Sequence, residues 1–316
     1  ILQKVVTCIE IKELRNMGFS LPTEEQVKQI FTQFDEIKFL KAGGFKAVYK
    51  VSTKGNIEAF KIVFIPVYGQ AEISSEVRKE SFARVKREIK ILNDCKSPEI
   101  VKLGTIQPTN VIFGEQEFIA YTEEYLNGHN LRELIKEKIM PSEHEVRLLL
   151  LSLLKAIREF WSLGVIHRDI KPENIIKLGL PERNYVLIDL GIAFSIIDTP
   201  LTFDAQHRMP PGTFRYLAPE MLQPNFRESI DFRSDLYAAA VTVYEYAAGR
   251  HPLAKNEDDF ITTLSRIIKE PPKSLKEFRD DLSVSIVQII DQMLKKIPAL
   301  RPSNLNMLIK NIEDKT

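Results

Sequence analysis

Between residues 35 and 65 apolar and polar positions alternate, and beyond Asn130 the apolar positions recur at three- and four-residue steps. Alternation marks a half-buried strand, and the longer step marks the inward face of a helix. Strands are expected at Ile37–Leu40, Ala47–Ser52 and Ile57–Phe64, separated by the turn-prone pairs Gly43-Gly44 and Lys54-Gly55. Ser74–Cys95 reads as a helix, with Val85, Ile89 and Leu92 on one face. Ile100–Leu103 and Val111–Tyr121 return to strand character. Together these elements make a small antiparallel sheet carrying one main helix.

The remainder is mostly helical: Leu131–Lys138, Glu143–Leu163, Ser234–Ala248, Asp258–Ile268, Val284–Lys296 and Asn304–Ile312. Turn signals at Gly249-Arg250-His251-Pro252 and Glu270-Pro271-Pro272 divide them. Residues 1–34 form an N-terminal helical extension. Within it Thr23 can cap a helix start, Gln26 stands where a capping box needs its partner, and Val27, Ile30 and Phe31 give the apolar face. The expected fold class is α+β: a sheet lobe over 35–125 and a larger, mainly α-helical lobe over 126–314, with a ligand cleft between lobes as the expected geometry.

The chain has 316 residues, 44% of them hydrophobic, enough for a sizeable core. Lys and Arg total 44 against 43 Asp and Glu, so no excess charge points to nucleic acid or an anionic membrane as partner. Two distant cysteines, Cys8 and Cys95, fit a reducing, cytoplasmic setting better than a disulfide framework. The greasiest stretch, Leu148–Ile157, is interrupted by Ser152 and Lys155 and is too short to cross a bilayer. The first residue is Ile1, which suits a fragment or a processed product.

The chemistry concentrates in Val165-Ile-His-Arg-Asp-Ile-Lys-Pro-Glu-Asn174, followed by Ile188-Asp-Leu-Gly191. One short hairpin gathers Asp169, Lys171, Asn174 and Asp189: a base-like carboxylate, a cation for phosphate, and an amide and a carboxylate for a metal ion. The order H-R-D-x-K-P-x-N then D-x-G resembles the eukaryotic-type serine/threonine protein kinase family. The resemblance covers about residues 35–314 and implies a two-lobed protein-kinase-like fold that uses ATP and Mg2+. It makes Asp169 the residue that orients the substrate hydroxyl and Lys171 the charge neutraliser. Asn174 and Asp189 become the metal ligands, and His167 a packing residue. Arg168 in this family usually pairs with an anionic group on the activation segment, implying control by phosphorylation.

The same resemblance assigns the nucleotide site. Leu40, Gly43, Gly44 and Val48 lie in the phosphate-covering loop, although Lys41 and Lys46 replace two of the family's three glycines. Ala59 and Lys61 match the third-strand lysine motif, with Glu88 the best helix partner and Glu80 or Glu76 competing. Glu124 and Leu126 stand where the hinge binds adenine through backbone groups, and Ile176 lies beneath the base. Glu123 then falls at the gate of the back pocket, where the family usually has an uncharged residue. It either turns outward or pairs with a nearby base, unless the register slips by one.

Gly212-Thr-Phe-Arg-Tyr-Leu-Ala-Pro-Glu220 resembles the end of an activation segment. The resemblance has Thr213 bonding to Asp169 and Lys171, Glu220 pairing with Arg301, and Asp235 accepting bonds from the catalytic-loop backbone. Ser195, Thr199 and Thr202 are candidate phosphosites. The implied activity is transfer of the γ-phosphoryl group of ATP to serine or threonine of protein substrates, the chain itself included. The alternatives are a pseudokinase scaffold, favoured by the lysine-rich loop and Glu123, and a small-molecule phosphotransferase, opposed by the Ala-Pro-Glu segment. Neither nucleic acid nor membrane is an expected partner of this stretch of chain.

Overall fold

The computed structural model describes residues 20–43, 46–64, 82–83, 85–86, 89–190, 213–223, 230–255 and 257–314. Contacts divide the chain into two units. The first comprises the described residues up to Asp94 together with Val101–Tyr125; the second comprises Cys95–Ile100 and the described residues from Leu126 on.

The first unit is built on an antiparallel sheet of five strands: β1 (Glu36–Gly43), β2 (Lys46–Thr53), β3 (Asn56–Val63), β4 (Thr109–Phe113) and β5 (Gln116–Glu124). Their order is β1-β2-β3-β5-β4. Lys54 (φ 51°) and Gly55 (φ 82°) supply the two left-handed residues that close the β2–β3 hairpin, as a two-residue turn requires. The ladder from Lys46 opposite Val63 to Thr53 opposite Asn56 runs without a slip. In the next ladder Ala59 faces Glu123, Lys61 faces Tyr121 and Val63 faces Ile119.

Because strand side chains alternate, each face of β3 has its own neighbours. Val63, with Ile119 and Tyr121, packs against Phe82, Val85 and Ile89 of the expected helix. Phe60 points the other way, with its ring 4.8 Å from Phe31 and 5.1 Å from Phe34. Those phenylalanines follow α1 (Glu24–Ile30), which starts with the capping box formed by Thr23 and Gln26. The Tyr49 hydroxyl donates to the Pro22 carbonyl at 2.5 Å, and Glu24 accepts from the Phe39 N–H at 2.7 Å. The extension is thereby sewn to the sheet by both burial and polar contacts.

Ile100–Leu103 differs from expectation. It forms no strand. Ile100 bridges Leu187 while Leu103 bridges Glu123, so its two ends pair with different partners and no continuous ladder can form.

The second unit holds α2 (Leu131–Lys136), α3 (Glu143–Ser162), α4 (Phe232–Ala248), α5 (Phe260–Lys269), α6 (Val284–Met293) and α7 (Leu305–Glu313). A small sheet joins β6 (His129–Asn130), β7 (Ile175–Leu180) and β8 (Arg183–Leu187). Capping boxes start α2 (Asn130 with Glu133) and α3 (Ser142 with Glu145). Helix α4 is buried on nearly all sides, which its Ala- and Val-rich sequence permits. Helix α3 packs on α4, β8 and α7. Gly128, just before β6, must be glycine: a Cβ there would lie 2.3 Å from the Lys177 carbonyl oxygen.

Candidate active site

Helix α3 ends in a turn at Gly164 (φ 72°), and the chain runs back over the unit as the loop 165–171. The His167 ring sits edge-on to Phe160 with centroids 5.5 Å apart, and its Nδ1 accepts the Asp169 N–H at 3.3 Å. This histidine holds the turn together. From α4, the Asp235 carboxylate accepts the backbone N–H groups of His167 (2.7 Å) and Arg168 (2.8 Å). Burial pushes the Asp235 carboxyl up to about 6, against these two donors and the Arg168 charge. Arg168 is left-handed at φ 67°, a conformation that costs a non-glycine residue roughly 1 kcal/mol or more and persists only where neighbours impose it. The Asp235 clamp is such a neighbour.

Asp169 gathers the rest. Its carboxylate accepts Lys171 Nζ at 2.8 Å and Asn174 Nδ2 at 2.9 Å, and its backbone carbonyl accepts the same Asn174 nitrogen at 2.8 Å. A 3-10 turn over Pro172–Asn174 sets this spacing. With its nitrogen so engaged, the Asn174 amide offers its oxygen as a ligand atom. The Ile188 N–H donates to the Asn174 carbonyl at 2.8 Å, tying the strand that leads to Asp189 to the catalytic turn. Asp189 is 3% exposed and also left-handed, at φ 62°. Of the four left-handed non-glycine residues among those described, Lys54, Lys138, Arg168 and Asp189, the last two thus fall on the two motifs singled out by the sequence. An amide oxygen and a carboxylate are hard donors that suit Mg2+. Among the described residues no group of three or more His, Cys, Asp or Glu is placed to hold a metal ion.

In the first unit Leu40 is exposed at 38% on β1, Gly43 pairs with Lys46 across the β1–β2 end, and Val48 is buried opposite Lys61. Ala59 is half-buried on β3. Lys61 is buried, and its ammonium donates to the Glu123 carboxylate. Of the readings open for Glu123, the structure has the pairing with a base: both side chains are 3% exposed. The Glu124 N–H donates to the Lys102 carbonyl at 3.0 Å and its side chain accepts the Lys102 N–H at 2.7 Å, fixing the end of β5. In the second unit Leu126 accepts the Gly128 N–H at 3.1 Å, and Ile176 pairs with Asn130 and Val186 in the small sheet. Gly44, Glu76, Glu80, Glu88, Ser195, Thr199 and Thr202 lie outside the described residues, as does the Thr213 side chain; Thr213 opens the turn Thr213–Tyr216.

The supporting pairs are in place. Arg301 grips Glu220 through two bonds of 2.6 and 2.9 Å and also donates to the Arg233 carbonyl at 2.9 Å. A bidentate guanidinium–carboxylate pair of this kind is among the stronger polar contacts. A second network carried no sequence signal. Arg132 of α2 bonds Glu173 in the catalytic turn and Glu245 of α4, each at 2.7 Å, and contacts the Tyr216 hydroxyl, which itself donates to Glu245 at 2.5 Å. These residues come from separate elements, and no spacing links them.

The family described as Protein kinase domain matches residues 34–312. The chain is 34% identical over 174 residues to a probable serine/threonine-protein kinase PknB of Bifidobacterium longum, covering 54% of this chain and 24% of that protein. It is 29% identical over 294 residues to the serine/threonine-protein kinase pkn3 of Myxococcus xanthus, covering 89% of this chain and 50% of that one. The chain therefore spans only a quarter to a half of these curated relatives. A crystal structure of Rad53 1–466 in complex with AMP-PNP superposes with a TM-score of 0.67 at 24% identity, over 90% of this chain and 66% of that one, which is a likeness of fold. With the catalytic turn, its Asp235 clamp and the Glu220–Arg301 pair in place, the family match over residues 34–312 makes this chain a member of the eukaryotic-type serine/threonine protein kinase family.

Proposed function

We propose that this chain is a catalytically active kinase domain, with an N-terminal extension over 1–34 and catalytic lobes over 35–125 and 126–314. It transfers the γ-phosphoryl group of ATP to serine or threonine hydroxyls of protein substrates, itself included. The observation that carries this reading is the Asp169 carboxylate with Lys171 and Asn174 bonded to it within 2.9 Å. Asp169 orients the acceptor hydroxyl and takes its proton; the oxygen bonds to the γ-phosphorus as the bond to the β-phosphate oxygen breaks, and ADP leaves. Lys171, held by Asp169, offsets the charge on the transferring group. Mg2+, held by Asn174 and Asp189, would neutralise the phosphates. Lys61 binds phosphate, Glu124 and Leu126 meet the adenine through backbone atoms, and Val48, Ala59 and Ile176 pack on the base. A cytoplasmic setting belongs to the same proposal, supported by the sparing use of cysteine, two in 316 residues. Among the described residues no helix is long and apolar enough to cross a membrane.

Mass spectrometry of the purified chain after incubation with ATP and Mg2+ tests the reading. Phosphoserine or phosphothreonine, lost in Asp169→Ala, is expected. ATP binding without any transfer would favour the scaffold reading instead.

A further inference from the structure

Lys61 and Glu123 occupy neighbouring strands of the first unit. Since Ala59 faces Glu123 and Lys61 faces Tyr121, the two charged side chains are diagonal neighbours on one face of the sheet, within reach for long side chains. The small Ala59 leaves room for them to meet, and the Lys61 ammonium donates to Glu123 Oε2. At 3% exposure each, the charges are poorly screened by water, and each needs an opposite charge to remain there. The ammonium also lies 5.9 Å from the centroid of the Tyr121 ring. A phosphate approaching Lys61 therefore meets an ammonium that already has an anion of the chain upon it.

We propose that Glu123 is the resident anion of the nucleotide site: it holds Lys61 until the phosphates of ATP take its place, and so sets how tightly ATP binds. This rests on the reading of Lys61 as the phosphate-binding lysine. The electrostatic sign is unambiguous. Removing the carboxylate while keeping the ammonium leaves one more positive charge where an anion must bind, so affinity for ATP rises. A residue that merely supported the fold would act in the opposite direction, since damage to the sheet weakens binding.

The test is titration calorimetry with ATP and Mg2+ on wild type, Glu123→Gln, Glu123→Met, Lys61→Met and the Lys61→Met/Glu123→Gln double variant. Glu123→Met fills the same volume without a polar group and serves if Glu123→Gln fails to fold. Removing the carboxylate is expected to tighten Kd about tenfold, or about 1.4 kcal/mol. That gain is expected to vanish in the Lys61→Met background, as a double-mutant cycle requires of a direct pair. Unchanged or weaker binding in both Glu123 variants, with wild type binding ATP, overturns the proposal. So does an equal gain in the Lys61→Met background. If instead Lys61→Met binds as tightly as wild type, the reading of Lys61 itself falls, and the proposal with it.

Discussion

Arg132 and Glu245, 113 positions apart, are joined by a 2.7 Å ion pair inside the second unit. Glu245 is mostly buried and its carboxyl is held below the usual range despite that burial, by its bond to Arg132 and the Arg132 charge. The same guanidinium reaches Glu173 in the catalytic turn, so α2, α4 and the loop between Lys171 and Asn174 share one cation. Removing it strands a buried carboxylate. Arg132→Ala is expected to cost about 3–5 kcal/mol in urea unfolding. A loss under about 1 kcal/mol would show that the network is ornamental to the fold.

Asp169 and Asp189 are expected to separate activity from stability. Asp169→Asn keeps the shape but removes the proposed proton acceptor, and turnover should fall by about 10²–10⁴. Asp189→Ala removes the carboxylate proposed to hold Mg2+ and should do at least as much, with circular dichroism unchanged for both. Turnover near wild type in both variants, measured by phosphate transfer to a peptide, would sink the catalytic assignment.

His251 gives the fold a pH dependence of predictable sign. Burial lowers its imidazole to about 4, against the pull of Glu245 and the Arg215 carbonyl. The geometry agrees: Nδ1 accepts the N–H groups of Leu253 (3.1 Å) and Ala254 (2.8 Å), so a proton there would displace two donors. The unfolded chain takes up this proton near the ordinary value of about 6.5, the folded chain only near 4. The stabilisation is therefore complete above pH 6.5 and is lost as pH falls towards 4. Asp235, raised to about 6, has the opposite slope over an overlapping range, so the comparison must be between variants. His251→Asn retains an acceptor without the titration. Wild type should lose about 2 kcal/mol more than this variant between pH 7 and 4.5 in urea titrations. Parallel pH profiles for the two would refute it.

Phe31 anchors the N-terminal extension to the sheet through Phe60 and Phe34. Phe31→Ala is expected to destabilise the first unit by about 2–4 kcal/mol, since it empties a buried aromatic site. Hydrogen exchange along β2 and β3 would report the loss; unaltered protection there would mean that the extension is carried passively.

The geometry of the turn over 167–174 was legible in the sequence because its mutual bonds lie within a few residues of chain. Asp169, Lys171 and Asn174 bond to one another across separations of two to five positions, so their spacing already constrains their geometry. The capping boxes at Thr23, Asn130 and Ser142 are local in the same way. Glu220–Arg301 and the Asp235 clamp are distant in sequence and could be named only because the whole ordered set resembles one family. Ile100–Leu103 misled, since a short apolar run looks the same whether it pairs as a strand or bridges two partners.

Sequence alone determined the alternation of the strands, the helical faces and the spacing within the turn over 167–174, because each of these patterns repeats or closes within a few residues of chain. Only the tertiary structure decided where Glu123 points and that Arg132 unites Glu173 with Glu245. The charge of a side chain is written in the sequence. The partner that compensates it inside the protein depends on which strands and helices bring their buried faces together, because desolvated charges must pair with whatever opposite charge the packing delivers.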